Sequence, residues 1–134
     1  MQVRTSVALP RVLVIDDDPS VRRMLRFSLR AAAFDVTEIT TGAEAIEILK
    51  RQPPEALVLD PGLSDGLGWQ VLDRLRELHQ QNRTSPAWVV ISTLDREDVA
   101  KEHGPLGAHF LAKPFDPWQL VRILKEHLYV GKEE

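Results

Sequence analysis

The stretch VLVIDDDPSVRRMLRFSL, residues 12–29, contains both of the patterns from which the rest of the chain is built. Its first four residues are apolar and mostly β-branched, which is typical of a short strand buried on both faces. After Asp18 and Pro19, apolar residues recur every three or four positions, which indicates an amphipathic helix that Asp18 caps. The stretch therefore predicts a strand, an acidic loop and a helix, in that order.

The same alternation of a short strand and an amphipathic helix recurs along the chain. Further strands are predicted at residues 34–39, 56–59, 87–91 and 108–112. Helices are predicted after Pro19, from a capping box formed by Thr41 and Glu44, along the apolar stripe of residues 71–78, over residues 96–103 and from Asp116. Five such units with short connections predict an α/β fold: an open, doubly wound parallel sheet of five strands with five helices, arranged as a three-layer sandwich.

Length and composition restrict the chain to few protein classes. The 134 residues suit one domain, predicted at residues 11–129 between an N-terminal extension (1–10) and a C-terminal tail (130–134). The absence of cysteine excludes disulfides, thiolate metal sites and a cysteine nucleophile. A net charge of −3 gives no general attraction to nucleic acid or anionic membranes. Because there is neither a secretion signal nor an apolar run near the roughly 18 residues of a membrane span, we expect a cytoplasmic protein that binds neither nucleic acid nor a membrane.

Polar and charged residues follow four of the five predicted strands. Asp16 to Asp18 follow the first, Asp60 follows the third, Ser92 ends the fourth and Lys113 follows the fifth. Ligands of open α/β sheets bind beyond the carboxyl ends of the strands, where these side chains would meet. Clustered carboxylates repel one another unless a cation lies among them, and Mg²⁺ accepts such ligands while leaving room for phosphate oxygens. Together with a lysine and a hydroxyl, they suggest phosphoryl transfer.

Four motifs in this order resemble the receiver domain of two-component response regulators. They are VLVIDDDPSVRR at residues 12–23, LVLD at 57–60 with Leu63 and Gly68 behind it, IST at 91–93 and KPF at 113–115. The resemblance covers about residues 11–129 and implies the flavodoxin-like fold that is called CheY-like. It also implies a signalling switch that is controlled by phosphorylation.

The resemblance implies a role for each matching residue of a metal site. Asp17 and Asp60 match the carboxylates that bind Mg²⁺, or Mn²⁺ in its place. The backbone carbonyl of Gly62 matches a third protein ligand, and Asp16 matches a carboxylate that acts through a bound water. All four positions offer oxygen, the donor that these cations prefer.

The resemblance also implies which residues react and which respond. Asp60 matches the phosphoacceptor, and Lys113 matches the lysine that pairs with the acyl phosphate. Ser92 matches the hydroxyl that moves to bond a phosphate oxygen, and Phe110 matches the aromatic residue that changes rotamer with it. The implied readout is a shift of the surface formed by the fourth helix, the fifth strand and the fifth helix.

The partners that the family implies are other signalling proteins. A sensor histidine kinase or a phosphotransfer protein would supply the phosphoryl group, and a downstream protein target or a linked output domain would receive the signal. The arginines of the first helix are either a solvated face or a docking surface for the donor; they are Arg22, Arg23, Arg26 and Arg30. Catalysis would be limited to the chain's own phosphoryl transfer and autodephosphorylation, so we do not expect an enzyme. The sequence leaves open whether phosphorylation drives homodimer formation.

Two other functions stay open from the sequence. A degenerate receiver would keep the fold as an interaction module without being phosphorylated. A small phosphohydrolase resembling the haloacid dehalogenase superfamily would use Asp16, Asp18 and Ser20, but the acidic pair expected after the lysine strand is missing.

Three positions depart from the receiver pattern. Pro61-Gly62 follows Asp60, where an apolar and then a polar or bulky residue is more usual. Ser64 stands where the family commonly has proline, and Thr93 stands where alanine or glycine is usual. None of these departures removes a reacting group.

Overall fold

The computed structural model describes residues 8–81, 86–103 and 109–132 of the chain. The strands are β1 (Arg11–Ile15), β2 (Asp35–Ile39), β3 (Ala56–Leu59), β4 (Ala87–Ser92) and β5 (His109–Ala112). The helices are α1 (Pro19–Ala31), α2 (Gly42–Arg51), α3 (Gly68–Gln80), α4 (Arg96–His103) and α5 (Pro117–Lys132). All five predicted strands and all five predicted helices are therefore present. Within the described part of the chain, no helix has the length and apolar character needed to cross a membrane.

The five strands form one parallel sheet with the order β2-β1-β3-β4-β5. From β1 the chain moves outward to β2, then crosses back to β3 and continues in the other direction to β5. The strand order therefore reverses between β1 and β3, and ligands of doubly wound sheets bind at such a reversal. The predicted open, doubly wound α/β sandwich is confirmed.

Alternate residues of the central strands cover opposite faces of the sheet. Leu13 and Ile15 of β1 belong to a buried cluster with residues of α2, α3 and α4. Val12 and Val14 belong to a second cluster, with residues of α1 and α5. All four side chains are at most 2% exposed, so both faces of the strand are packed. Packing of this kind holds the ends of β1 and β3 in fixed positions.

Two helices begin where the sequence carries capping residues. The carboxylate of Asp18 accepts a hydrogen bond from the backbone N–H of Ser20 at 2.8 Å. Thr41 Oγ1 accepts one from the backbone N–H of Glu44 at 3.2 Å. Each cap satisfies a backbone donor that has no partner within the first helical turn, so both predicted helix starts are confirmed.

Several element boundaries differ from the predicted ones by one or a few residues. β1 begins at Arg11 rather than Val12, and β4 ends at Ser92 rather than Ile91. β2 begins at Asp35 rather than Phe34, because Ala33 has a φ of 68° and the N–H of Phe34 donates to the carbonyl of Leu29 to close the turn after α1. α5 continues to Lys132, past the predicted domain boundary at residue 129. A glycine such as Gly131 costs a helix about 1 kcal/mol but does not end it as proline does. Ala108, predicted to begin the fifth strand, lies outside the described residues.

Gly68, the first residue of α3, lies against the loop that follows β3. A Cβ atom at this position would stand 2.0 Å from the carbonyl oxygen of Pro61, far inside van der Waals contact. We therefore expect Gly68→Ala to lower the free energy of unfolding by about 1–3 kcal/mol, as overpacking does. Urea unfolding measures the change, with Gln70→Ala on the exposed side of the same helix as the control. Equal stability of the two variants would contradict this close contact.

Candidate functional site

The aspartates that follow β1 and β3 lie side by side at the carboxyl edge of the sheet. The last paired residues of these strands are Ile15 and Leu59, so the next positions are Asp16 and Asp60. The N–H of Asp60 donates to the carbonyl oxygen of Ile15 at 2.9 Å, which extends the strand pairing to this aspartate. The sheet therefore fixes the backbones of both aspartates at the reversal of strand order.

Lys113 joins these two carboxylates. Its Nζ lies 2.8 Å from Asp16 Oδ2 and 2.6 Å from Asp60 Oδ2. Its backbone N–H donates to the carbonyl oxygen of Ser92 at 2.8 Å, which ties the residue to the end of β4. Side-chain exposure is 0% for Asp16, 17% for Asp60 and 13% for Lys113, so solvent screens these charges weakly. The structure therefore brings Asp16, Asp60 and Lys113 together.

Burial and charge shift the pKa values within this cluster. Burial raises the pKa of Asp16 above its usual range, and hydrogen bonds from Lys113 and from the N–H of Asp18 offset only part of that shift. Burial alone would lower the pKa of Lys113, but its hydrogen bonds to Asp16 and Asp60 outweigh this effect and raise the pKa. Lys113 is therefore protonated at neutral pH and neutralises part of the acidic charge.

Asp17 has different partners from its neighbour Asp16. Its Oδ2 accepts hydrogen bonds from the backbone N–H of Ser64 at 3.0 Å and from Ser64 Oγ at 2.7 Å. Among the residues that the structure describes, no three histidine, aspartate or glutamate side chains stand close enough to hold a metal ion together. The structure therefore brings Asp16 and Asp60 together, whereas Asp17, in the loop after β1, has its carboxylate bound to Ser64 of the β3–α3 loop.

The donor atoms at this edge nevertheless fit the chemistry of a divalent cation. Asp16, Asp17 and Asp60 offer carboxylate oxygens. Gly62, whose N–H donates to Asp60 Oδ1 at 2.9 Å, offers a backbone carbonyl beside them. A set of oxygen donors, completed by water, is what Mg²⁺ and Mn²⁺ take in proteins. The chemistry of these donors therefore fits such an ion, although in the described residues Asp17 is turned toward Ser64.

Ser92 and Phe110 lie on the neighbouring strands β4 and β5. Ser92 is 4% exposed, and its Oγ accepts a hydrogen bond from the backbone N–H of Leu94 at 3.0 Å. Phe110 is half-buried and packs against the cluster that contains Val90. These positions agree with the order of the motifs along the sequence, and the switch roles of both residues stay predictions.

Comparison with known proteins assigns the family. Residues 12–125 match the family model described as the response regulator receiver domain. The chain belongs to this family. Its relatives include a 14.6 kDa protein of Leptolyngbya boryana, 33% identical over 117 residues that make up 87% of this chain and 88% of that protein. They also include the transcriptional regulatory protein KdpE of Mycobacterium tuberculosis, 35% identical over 104 residues that make up 78% of this chain and 44% of KdpE.

Solved structures show the same fold. A signal receiver domain from Vibrio parahaemolyticus aligns with a TM-score of 0.77 and 27% identity, covering 92% of this chain and 93% of that one. The predicted CheY-like receiver fold is thereby confirmed. The chain spans about half the length of the transcriptional regulators that it matches, such as KdpE and the response regulator MtrA of Mycolicibacterium smegmatis.

Two arginines of α1 are bound to other parts of the receiver domain. Arg22 Nη1 donates to the carbonyl oxygen of Asp16 at 2.8 Å, and its Nε lies 3.6 Å from a carboxylate oxygen of Glu38 on β2. Arg26 Nη1 lies 2.7 Å from the other oxygen of Glu38. Arg23 and Arg30 are exposed. Arg22 and Arg26 therefore tie α1 to β2, and Arg22 also holds the loop between β1 and α1, a role that the sequence pattern did not reveal. Docking of a phosphoryl donor on this helix stays a prediction.

Asp65 binds the β3–α3 loop of the receiver domain to the start of α2. Its carboxylate accepts hydrogen bonds from the backbone N–H groups of Gly42 at 3.2 Å, Ala43 at 3.1 Å and Leu67 at 3.1 Å. Burial acts in the opposite direction, but these hydrogen bonds lower the pKa of Asp65 below its usual range. The sequence does not reveal this contact, because nothing in the spacing of its residues shows that the loop meets α2.

We expect Asp65→Ala to lower the melting temperature by a few degrees at neutral pH. Because the folded-state pKa is lowered, the stabilisation is present above the ordinary value of 3.8 and is lost as the pH falls through the folded-state pKa. The difference between the wild type and the variant should therefore disappear in strong acid. Thermal unfolding monitored by circular dichroism across this range measures it, with Asp35→Ala, an exposed aspartate at the other edge of the sheet, as the control. A difference independent of pH would contradict the role of the ionised carboxylate.

Proposed function

We propose that this receiver domain accepts a phosphoryl group on Asp60 and transmits the change to a protein surface in two-component signal transduction. The observation that carries the proposal is the position of Lys113 Nζ, 2.6 Å from Asp60 and 2.8 Å from Asp16, at the reversal of strand order. Negative charge on the phosphoryl oxygens must be stabilised when a carboxylate attacks phosphorus. A protonated lysine already in contact with Asp60 is suited to that task.

Asp60 is the proposed nucleophile. One of its carboxylate oxygens attacks the phosphorus of a phosphohistidine or of a small acyl phosphate, and the bond from phosphorus to the donor's nitrogen or oxygen breaks. The donor leaves with the electron pair of that bond. Asp60 then carries an acyl phosphate until water removes it. The side chain is 17% exposed, which leaves it accessible to a donor while Lys113 and Gly62 hold it in place.

A divalent cation, Mg²⁺ or Mn²⁺, is part of the proposed site. Asp17, Asp60 and the backbone carbonyl of Gly62 would hold it, and Asp16 would act through a bound water. When bound, the cation neutralises charge on the phosphoryl oxygens. The proposed site contains three aspartates, Asp16, Asp17 and Asp60, and one lysine, Lys113. This excess of negative charge supports a cation-binding role.

Ser92 and Phe110 are the proposed switch residues. Ser92 Oγ now accepts the hydrogen bond from Leu94, so its movement toward a phosphate would release the N–H of Leu94 and shift the β4–α4 loop. Phe110 would change rotamer with that loop. Leu94 and Trp118 are 54% and 51% exposed, which makes them candidate apolar contacts for a target on the α4–β5–α5 surface.

The proposed partners are proteins of a cytoplasmic signalling pathway. A sensor histidine kinase or a phosphotransfer protein supplies the phosphoryl group. A downstream protein target or a linked output domain reads the altered surface. No catalysis is proposed beyond the transfer to Asp60 and its autodephosphorylation.

Beryllofluoride, which mimics a bound phosphoryl group, tests this function. We expect fluorine NMR to show one bound beryllofluoride per chain in the presence of Mg²⁺ and none after the metal is removed by a chelator. Lack of binding with Mg²⁺ would favour the degenerate receiver. Sustained release of phosphate from an aryl phosphate would favour the phosphohydrolase. Either result would overturn the proposal.

A further inference from the structure

Ser64 and Asp17 form a two-point contact between the loops that follow β1 and β3. The hydroxyl and the backbone N–H of Ser64 both donate to the same oxygen, Asp17 Oδ2, at 2.7 Å and 3.0 Å. Both residues are exposed, and the contact spans 47 positions of sequence. Hydrogen bonds to a carboxylate are stronger than those between neutral groups. The contact therefore holds Asp17 in one orientation.

This orientation separates Asp17 from the other two acids. Asp16 and Asp60 share Lys113, whereas the carboxylate of Asp17 is directed at the β3–α3 loop. In the part of the chain that the structure covers, no three acidic side chains form a set that could hold a metal. A cation that takes Asp17 together with Asp60 therefore requires this carboxylate to turn from the orientation in which Ser64 holds it.

Ser64 is prevented from following Asp17, because the adjacent residue is fixed. Asp65 accepts hydrogen bonds from Gly42 and Ala43 at the start of α2. A Cβ atom on Gly42 would stand only 2.7 Å from backbone atoms of Leu67, so the loop is also pressed closely against that helix. Movement of the loop toward the metal position would break these contacts. We therefore expect the loop to stay in place and the carboxylate of Asp17 to give up its hydrogen bonds to Ser64 when it binds the cation.

We propose that Ser64 is a positioning residue that competes with the divalent cation for Asp17 and so weakens metal binding. The inference rests on the proposed cation site and adds a determinant of its affinity. The residue that the family commonly has at this position, proline, has neither an N–H nor a hydroxyl and forms no such contact. The competition is therefore a property of this chain's own residue.

Three substitutions remove the donors of Ser64 step by step. Ser64→Thr keeps the hydroxyl and the N–H, Ser64→Ala keeps the N–H alone, and Ser64→Pro removes both. Ser20→Ala changes an exposed hydroxyl in the first turn of α1 and serves as the matched control. The probe is Mn²⁺, whose free concentration is measured by electron paramagnetic resonance while the full chain is titrated. Mg²⁺ is then added in competition.

We expect the dissociation constant for Mn²⁺ to fall about threefold in Ser64→Ala and about tenfold in Ser64→Pro, as expected for the loss of one and two charge-assisted hydrogen bonds near the surface. Ser64→Thr and Ser20→Ala should bind as the wild type does. Melting curves recorded with a chelator establish whether each variant is folded. If Ser64→Pro is not folded, the dissociation constant of Ser64→Ala alone tests the competition.

Unchanged or weaker binding by Ser64→Ala would overturn the competition while leaving a functional metal site in place. Failure of every variant and of the wild type to bind Mn²⁺ would overturn the competition and the cation site together. Phosphorylation of Asp60 is measured separately by mass spectrometry. Failure of the competition at Asp17 is therefore distinguished from failure of the proposed phosphorylation.

Discussion

Asp60→Asn is expected to abolish covalent phosphorylation by acetyl phosphate. An amide is a far poorer nucleophile than a carboxylate, while asparagine keeps the size of the side chain and an oxygen that accepts the hydrogen bond from Gly62. Intact-mass spectrometry after acid quenching should show one added phosphoryl group on the wild type and none on the variant. The predicted loss is complete within the detection limit, because no other residue of the site is proposed to react.

The matched control for this substitution is Asp35→Asn. Asp35 is an exposed aspartate at the start of β2, at the opposite edge of the sheet from Asp60. This variant should be labelled as fully as the wild type. Persistent labelling of Asp60→Asn would show that a different residue accepts the phosphoryl group, and the proposed role of Asp60 would be wrong.

Replacing Lys113 with methionine is expected to slow phosphorylation by a factor of about 10²–10³, the usual effect of removing one group that stabilises charge in a transition state. The same change leaves Asp16 and Asp60 without their shared cation, so we expect the free energy of unfolding to fall by about 1–3 kcal/mol. Phosphorylation time courses and urea unfolding measure the two effects. Lys50→Met, on an exposed position of α2, is the control for the loss of a lysine.

The pH dependence of this stability difference follows from the raised pKa of Lys113. A lysine with a raised folded-state pKa contributes stability that is fully present below its ordinary value of 10.5 and is lost as the pH rises through the folded-state pKa. The difference between the wild type and Lys113→Met should therefore persist from neutral pH to about 10.5 and shrink above that. It should also shrink in acid, where Asp16, whose pKa is raised by burial, becomes neutral and no longer attracts Lys113. A phosphorylation rate unchanged in Lys113→Met would show that the lysine has no part in the transfer.

The positions of the strands, and with them the cluster at their ends, follow from local sequence patterns. Asp16 and Asp60 come directly after uniformly apolar runs, and parallel pairing places the ends of neighbouring strands at one edge. The sequence therefore predicts that these carboxylates are close. Lys113 is predicted to join them because it follows the fifth strand, although β5 is the strand furthest from β1 on that side of the sheet.

The contacts between loops could not be predicted in the same way. The partner of Asp17 is a serine 47 positions away, and the partners of Asp65 are backbone N–H groups of another helix. Such contacts depend on the path of the β3–α3 loop, which no periodic pattern specifies. Ser64 is visible in the sequence only as a departure from the receiver pattern, and the structure gives that departure a physical meaning. Glu38 is likewise recognisable as a partner of Arg22 and Arg26 only in three dimensions.

Phosphorylation of Asp60 depends on positive groups that stabilise the charge on the transferred phosphoryl group, and locating that group in the chain tests this dependence most directly. The wild-type chain is treated with acetyl phosphate in the presence of Mg²⁺ or of a chelator, the acyl phosphate is trapped by borohydride reduction, and the peptides are sequenced by tandem mass spectrometry. We predict one modified position, Asp60, that appears only with the metal. Modification at another residue, or equal modification of Asp60 with the chelator, would contradict the account.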